Sequence, residues 1–385
     1  MLRSIVSDFE AAGHSVTTLL DSRLSALSAP LEAERVVPVS SLEEADAAVR
    51  KIAAEDVDAV YVIAPESEGV LQSLVAIVER TGTQSLNCNS AAIGKVADKS
   101  FLHEHVKKMG LPTPRSLKFS IHDEAEEVSQ SISERIGFPA VIKPLDGVGC
   151  AGLSLVLDKN DVAGAIAKAR EESAGEFLLA QQFIKGVPVS VSVMSTDQEA
   201  LPISLNKQDI SLRMPNSASS YDGGTVPLDS SLKRKAFLVA KRVVESLHGL
   251  RGYVGVDLVL NQSKAFVIEV NPRLTTSYVG LRKVAPFNLA EAMLNSVLER
   301  KLPANQESVG YACFSKVKTP KPTTEALKQT YSVDEVVSPP FPISTDEFAY
   351  ALLCSHHNTL AKAKWGLDEA KKNLLGKSTG GNQRW

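Results

Sequence analysis

The sequence predicts a mixed architecture, α/β at the N-terminal end and α+β through the middle, on three observations. Helical and strand periods alternate from residue 2 to residue 89, and Lys143 ends a short apolar strand before a glycine-rich turn. Residues 253–273 read as two strands joined by a tight turn, carrying two acids, an amide and an arginine among apolar neighbours. Alternation implies a parallel sheet covered by helices, whereas short strands joined by turns imply antiparallel pairing.

The elements follow in order. Residues 2–12 have helical spacing and stop at Gly13, and 16–20 read as a strand ending at Asp21. A helix at 42–54, a buried strand at 56–64 and a helix at 66–80 continue the alternation. Such a unit ordinarily begins with a strand; this one opens in a helix, so a first strand outside the sequence is expected. Asp98 caps a helix reaching Met109, which Pro112 and Pro114 terminate. A helix at 122–136 closes at Gly137, and strands are expected at 138–143, 153–157, 177–183 and 187–195, with a helix at 161–172. Residues 207–227 are polar and glycine-rich and read as a loop on the substrate side. Helices at 231–247 and 289–299 flank the acidic hairpin. Beyond Lys301, proline clusters mark loops, 346–354 and 359–375 read as helices of a small appended unit, and 378–385 read as flexible.

Composition narrows the function. A chain of 385 residues can bury a large core in about two or three compact units. Its 44% hydrophobic and 23% charged content is that of an ordinary globular protein, and a net charge of −3 gives no basic field for nucleic acid. Cys88, Cys150, Cys313 and Cys354 lie far apart and form neither a C-x-x-C pair nor a dense disulfide framework, which fits a reducing compartment. No apolar run approaches the roughly 18 residues of a membrane span, so a cytoplasmic protein without a membrane partner is expected.

The hairpin carries the sharpest chemistry. Alternation along a strand places Glu269, Asn271 and Arg273 on one face and Ile268 and Val270 on the other, with Asp257 on the neighbouring strand. Two carboxylates and a carboxamide suit a hard divalent cation such as Mg²⁺, or Mn²⁺, and the adjoining arginine suits a phosphoryl oxygen. Each of these residues alone is ordinary on a solvated strand; the group is not, because Glu-x-Asn-Pro-Arg interrupts an apolar strand. A second constellation begins at Lys143, delivered at a strand's mouth where Pro144 ends the pairing. Gly147, Gly149 and Gly152 let the following backbone approach a ligand closely, as a phosphate-cradling turn would. No G-x-x-x-x-G-K-[ST] P-loop is present. Residues 178–193 add a hairpin turning at Lys185-Gly186. His103 and His105 stand two apart on one helix and face different ways, which argues against a metal pair.

In this order the residues of 98–273 resemble the ATP-grasp ligases. The resemblance implies an ATP-grasp fold with a partial Rossmann-like N-terminal domain. Lys99 and Lys143 match the two lysines that contact ATP phosphates, and DGVGCAG matches the flexible loop over them. Gln181, Gln182, Phe183 and Ile184 match the hinge at the adenine; Asp257, Glu269 and Asn271 match the Mg²⁺ ligands; Arg273 matches the arginine on the transferred phosphoryl group. Two departures stand out: Gln182 replaces the usual hinge acid, and Val187-Pro188 replaces the segment where many members place a ribose-binding glutamate. Residues 1–23, Ser204 to Gln208 and NPRLTTSYVGLR at 271–282 are similar to the subgroup of tyramine–glutamate ligases of methanofuran biosynthesis.

That resemblance implies ATP and Mg²⁺ as cofactors, and a carboxylate such as glutamate joined to a tyramine-like amine through an acyl phosphate. Arg273 and Lys143 are then the catalytic candidates. Lys207, Arg213, Tyr221, Thr275, Thr276 and Arg282 are the substrate-side candidates, cations being needed for the carboxylate that does not react. The expected organisation is an N-terminal unit at 1–96, an ATP-grasp unit at 97–302 with lobes at about 113–183 and 184–302, and an extension at 303–385, with a homodimer allowed. Competing readings are another amino-acid or peptide ligase, a bicarbonate-using carboxylase, and a nucleotide-binding regulatory protein without turnover.

Overall fold

A computed structural model describes residues 1–378 apart from 26, 28–30, 56, 146, 148, 174 and 305. Near the N-terminus, strands β1 (Thr17–Asp21) and β2 (Arg35–Val39) pair in parallel, as do β3 (Ala59–Val60) and β4 (Gln84–Ser85). Helices Leu2–Ala11, Leu42–Ala54 and Val70–Thr81 accompany them. The strand expected at 56–64 narrows to β3, and Asp56 lies outside the described residues. Its continuation is satisfied by a side chain instead of a ladder: Val62 N–H donates to Asn87 Oδ1 (2.8 Å), and Asn87 Nδ2 donates to the Val62 carbonyl (2.9 Å).

The site lies between two antiparallel sheets. The smaller contains β5 (Ser116–Ser120), β6 (Ala140–Pro144), β7 (Ser154–Val156) and β8 (Phe177–Gln182) in the order β5-β8-β6-β7. Helices Ala125–Arg135 and Val162–Glu172 cover it, burying Ile132, Ile142, Ile166 and Leu178. The larger sheet has eight strands: β9 (Val187–Thr196), β10 (Ala200–Ser211), β11 (Ser220–Val226), β12 (Arg251–Asn261), β13 (Lys264–Asn271), β14 (Tyr311–Pro320), β15 (Val336–Ser338) and β16 (Phe348–His357). Their order is β13-β12-β9-β10-β11-β14-β16-β15. Val189, Val191, Val193, Val254 and Val256 fill one face of this sheet and pack with Val243 and Val244 of helix Lys233–Glu245. By strand alternation Ser190, Ser192, Gly255 and Asp257 fall on the other face, which is therefore polar.

Three expectations change. Residues 207–227 are not mainly a loop: β10 and β11 pair from Lys207↔Thr225 to Ser211↔Ser220. Glycine inside a strand marks close backbone approach; a Cβ on Gly223 (φ 142°) would lie 2.0 Å from the Phe314 carbonyl oxygen, and one on Gly224 would lie 2.2 Å from that of Lys207. Residues expected as a helix at 346–354 form β16, which pairs with β14 from Tyr311↔His357 to Pro320↔Phe348. Ala349 and Ala351 are buried, while Phe348 and Tyr350 are exposed beneath the ammonium groups of Lys318 and Lys316, a period of two that the alanines disguised. Strands β14 to β16 thus extend the large sheet, and Leu360–Ser378 packs on them as a helix. The rest of the expected flexible tail, 379–385, lies outside the described residues.

Helices Ser90–Ala97 and Tyr278–Val284 were not foreseen. The first is capped by Asn89, whose Oδ1 accepts from Ala92 N–H. The next helix, Lys99–Lys108, is capped as expected by Asp98, which accepts from Ser100 and Phe101.

Candidate active site

A cleft of about 540 Å³ opens between the two sheets. The hairpin β12–β13 supplies its acidic wall. Asp257 pairs directly with Glu269, and Gly255 with Asn271, so all the donors share one face. The register slips between Asp257 and Leu258, so that Leu258 pairs with Val267 and Ile268 is the extra residue. This bulge corrects the expected faces: Val267 and Val270 enter the core, while Ile268 lines the cleft beside Glu269.

Both oxygens of Asp257 are held by amides. Gln208 Nε2 donates to Oδ1 at 3.0 Å and Asn271 Nδ2 donates to Oδ2 at 3.2 Å. Burial, then repulsion from Glu269, pushes the Asp257 carboxyl up to about 7. Glu269 moves the opposite way: burial opposes its ionisation, but the charges of Lys99 and Lys143 outweigh burial and hold it below the usual glutamate range. Among the described residues no three His, Cys, Asp or Glu groups gather, so the donor set is two carboxylates and a carboxamide. An all-oxygen set on a hydrogen-bonded frame fits Mg²⁺ or Mn²⁺.

The opposite wall carries the lysines. Lys99 opens its helix and is nearly buried; its Nζ lies 3.2 Å from Glu269 Oε1 and donates to the carbonyls of Leu145 (2.8 Å) and Gly147 (3.1 Å). Lys143 Nζ donates to Gln181 Oε1 at 3.3 Å across the β6–β8 pair. Burial pushes Lys143 down to about 8 against the pull of Glu269. Gly147 and Gly149 line the cleft between these lysines and Cys150, whereas Asp146 and Val148 lie outside the described residues. Gln181, Gln182, Phe183 and Ile184 also line the cleft, as do Val141 and Ile268. Gln182 N–H is committed to the Arg115 carbonyl (2.8 Å) and Phe183 N–H to that of Pro139 (3.2 Å).

Arg273 also lines the cleft. Its Nε donates to Glu66 Oε2 at 2.6 Å, and its Nη1 to the Leu274 carbonyl at 3.2 Å. Thr275 and Thr276 follow it along the cleft; Thr275 Oγ1 is bonded to Tyr253 Oη (3.1 Å) and Ser277 Oγ (2.7 Å). Tyr221 also lines the cleft, its phenol pushed well above the usual range by burial and by Asp257.

Four expected residues stand elsewhere, each for a physical reason. Arg282 pairs with Asp8, which also accepts from Tyr278 Oη at 2.5 Å, so its guanidinium fastens helix Leu2–Ala11 to helix Tyr278–Val284 outside the cleft. Lys207 is exposed and paired with Asp209 at 2.7 Å, two residues along the same strand face. Arg213 is exposed beyond the end of β10, where its carbonyl accepts from Leu155 N–H. Gly152 gives its N–H to Glu172 Oε2 (2.6 Å), and a Cβ there would press on Pro144 at 2.8 Å, so its role is packing.

Three side chains were given no part in this site by the sequence. Gln208 needed 200–211 to be read as a strand, where it shares a face with Asn206. Glu66 follows the short parallel strand β3, and a carboxyl-end position of that kind was an available signal. His103 stands four residues after Lys99, one helical turn along the same face.

Comparison with known proteins bears on the family and the fold. The family described as ATP-grasp domain matches residues 96–277, and the pre ATP-grasp 3 domain matches 14–93. A tyramine–L-glutamate ligase from Methanocaldococcus jannaschii is 32% identical over 251 residues, 64% of this chain and 65% of that protein. One from Methanocaldococcus fervens is 31% identical over 248 residues, 64% of this chain and 69% of the relative. The aligned stretch thus spans only about two thirds of these relatives' length. Among solved structures, a biotin carboxylase–β,γ-ATP complex from Campylobacter jejuni superposes with a TM-score of 0.74 at 16% identity, covering 98% of this chain and 88% of that one, a likeness of fold.

Proposed function

The chain belongs to the ATP-grasp family, and we propose that it is an ADP-forming carboxylate–amine ligase that joins glutamate, through its γ-carboxylate, to tyramine or a similar primary amine, as in methanofuran biosynthesis. One observation carries this reading: two buried lysines face an oxygen-donor hairpin across a single cleft, with Lys99 Nζ 3.2 Å from Glu269 Oε1.

Asp257, Glu269 and Asn271 would hold Mg²⁺ or Mn²⁺. Bound there, the metal would supply charge neutralisation to nucleotide phosphates. Lys99 and Lys143 contribute positive charge from the other side, in a site whose burial strengthens each interaction. The substrate carboxylate attacks the γ-phosphoryl group of ATP, which leaves ADP and an acyl phosphate. The neutral amine then adds to the acyl carbon, the C–O bond breaks with its electron pair going to inorganic phosphate, and the nitrogen gives up one proton to the departing phosphate or to water. Arg273, anchored through Nε and Nη1, is positioned to steady the transferred phosphoryl group, and Thr275 and Thr276 line the path of the acyl group. Gly147 and Gly149 would lie against the phosphates, and the hinge residues 181–184 with Val141 and Ile268 would hold the base.

The test is incubation with MgATP, glutamate and a panel of amines, following ADP release and new amides by mass spectrometry. ADP formation that requires both glutamate and an amine, with an amide of the summed mass less water, is expected. ADP formation that requires bicarbonate instead, or none with any amine, would overturn the assignment.

A further inference from the structure

His103 takes no part in the chemistry above, yet it is 2% exposed and makes a hydrogen bond through each ring nitrogen. Its Nδ1 lies 2.6 Å from Thr113 Oγ1, and its Nε2 lies 2.7 Å from Gln181 Nε2. Thr113 Oγ1 spends its proton on the Val267 carbonyl at 3.1 Å, so it can only accept from the ring. Nδ1 must therefore carry the hydrogen, and Nε2, left as the acceptor, takes one from the Gln181 amide. With its NH₂ turned to the ring, Gln181 must present Oε1 to the Lys143 ammonium at 3.3 Å. Every donor and acceptor direction in the chain follows from one carbonyl on β13.

We propose that His103, as a neutral Nδ1–H imidazole, is a positioning residue that fixes the orientation of the Gln181 amide and through it aims Lys143 into the cleft. The relay ties the lysine wall to the acidic wall, because Val267 lies two residues before Glu269 on β13. Pro112, beside Thr113, also accepts from Val267 N–H at 2.9 Å, so the segment grips the strand on both its backbone groups. Burial and the charges of Lys143 and Lys99 keep the ring unprotonated, pushing it down to about 3. An imidazolium would have no acceptor for Nε2–H and would turn the Gln181 amide over, placing NH₂ against an ammonium. The proposal rests on the nucleotide-binding part of the reading above and not on the identity of the carboxylate or amine.

The experiment has two arms. In the native protein, ¹⁵N-resolved NMR of the histidine ring should give a protonated-type shift at Nδ1 and an unprotonated-type shift at Nε2 from pH 5.5 to 8.5. An Nε2–H tautomer or an imidazolium in that range would overturn the relay. In the second arm, calorimetry compares MgADP binding to native protein and to His103→Leu, His103→Gln and Thr113→Val. Loss of an oriented bond to a charged group should raise the dissociation constant of His103→Leu by about tenfold. His103→Gln, which retains an acceptor, should recover part of it, and Thr113→Val should fall between. A folded His103→Leu protein with native affinity overturns the relay alone; a native protein that does not take up MgADP sinks the nucleotide site and the relay together.

Discussion

The two walls of the cleft hold their charges by different means. On the large-sheet wall, carboxylates are held by neighbouring side-chain amides: Asp257 by Gln208 and Asn271. On the small-sheet wall, Lys99 is held by backbone carbonyls, and Lys143 by an amide that is itself held by His103. Amide clamps leave a carboxylate in place while its remaining lone pairs stay available to a cation. The amide oxygen of Gln181 does the same for the Lys143 ammonium, whereas Lys99 gives two protons to carbonyls and faces Glu269 with the third. Each wall is thus oriented before any ligand arrives, which is the condition under which electrostatic stabilisation is strongest.

The largest break should come from the acidic wall. Glu269→Ala removes a proposed metal donor and the partner of Lys99 together, and ADP formation should fall by about 10²-fold or more; turnover within twofold of native would defeat the role given to the hairpin. A pair of arginines sharpens the point. Arg273 and Arg282 each bind one acid from the N-terminal segment, with side chains 16% and 18% exposed. Only Arg273 lines the cleft. Arg282→Ala leaves the buried Asp8 carboxylate without its cation, held only by the Tyr278 hydroxyl, and should cost about 3 kcal/mol in denaturant unfolding, with turnover per folded molecule retained. Glu66→Gln should do the converse, lowering kcat by about tenfold, the scale of a charge-assisted hydrogen bond, while changing the melting temperature little.

A pH titration of stability separates the walls by sign. His103 is pushed down to about 3, so between that value and its unfolded pKa of about 6.5 the unfolded chain binds the extra proton. Its contribution is therefore complete above about pH 6.5 and lost as pH falls, at up to about 1.4 kcal/mol per unit. Asp257, pushed up to about 7, works the other way in metal-free protein: the folded state keeps the proton, and stability falls as pH rises from about 4 to about 7. In chelator, His103→Gln should therefore flatten the acid limb of stability, measured by denaturant midpoint from pH 4 to 6.5. Asp257→Asn should steepen it. Identical slopes in both variants would remove the contrast. The smallest effect is expected at Lys207→Ala, an exposed pair with Asp209, which should change the KM for the carboxylate by less than about twofold.

Much of this was legible without coordinates because it is local. The cap at Asp98, the helix at Leu42–Ala54 and the β12–β13 hairpin with its turn follow from short-range spacing, and the acids of the hairpin were legible because they are conspicuous in an apolar strand. Where local signals conflicted with distant neighbours they misled. Gly223 of β11 read as loop because the backbone of β14 that crowds it lies some ninety residues on. The alanines of β16 concealed a strand whose partner is β14.

By itself the sequence determined which residue types would line the cleft and the order in which the chain delivers them, since side-chain chemistry and strand or helix period are properties of neighbours in the chain. Only the tertiary structure decided which cations face inward and which are consumed in holding the fold, as Arg273 and Arg282 demonstrate. It alone placed Glu66, Gln208 and His103, because hydrogen bonds and ion pairs act over a few ångströms of space, and the partners that meet there are 207, 49 and 78 residues apart in the chain.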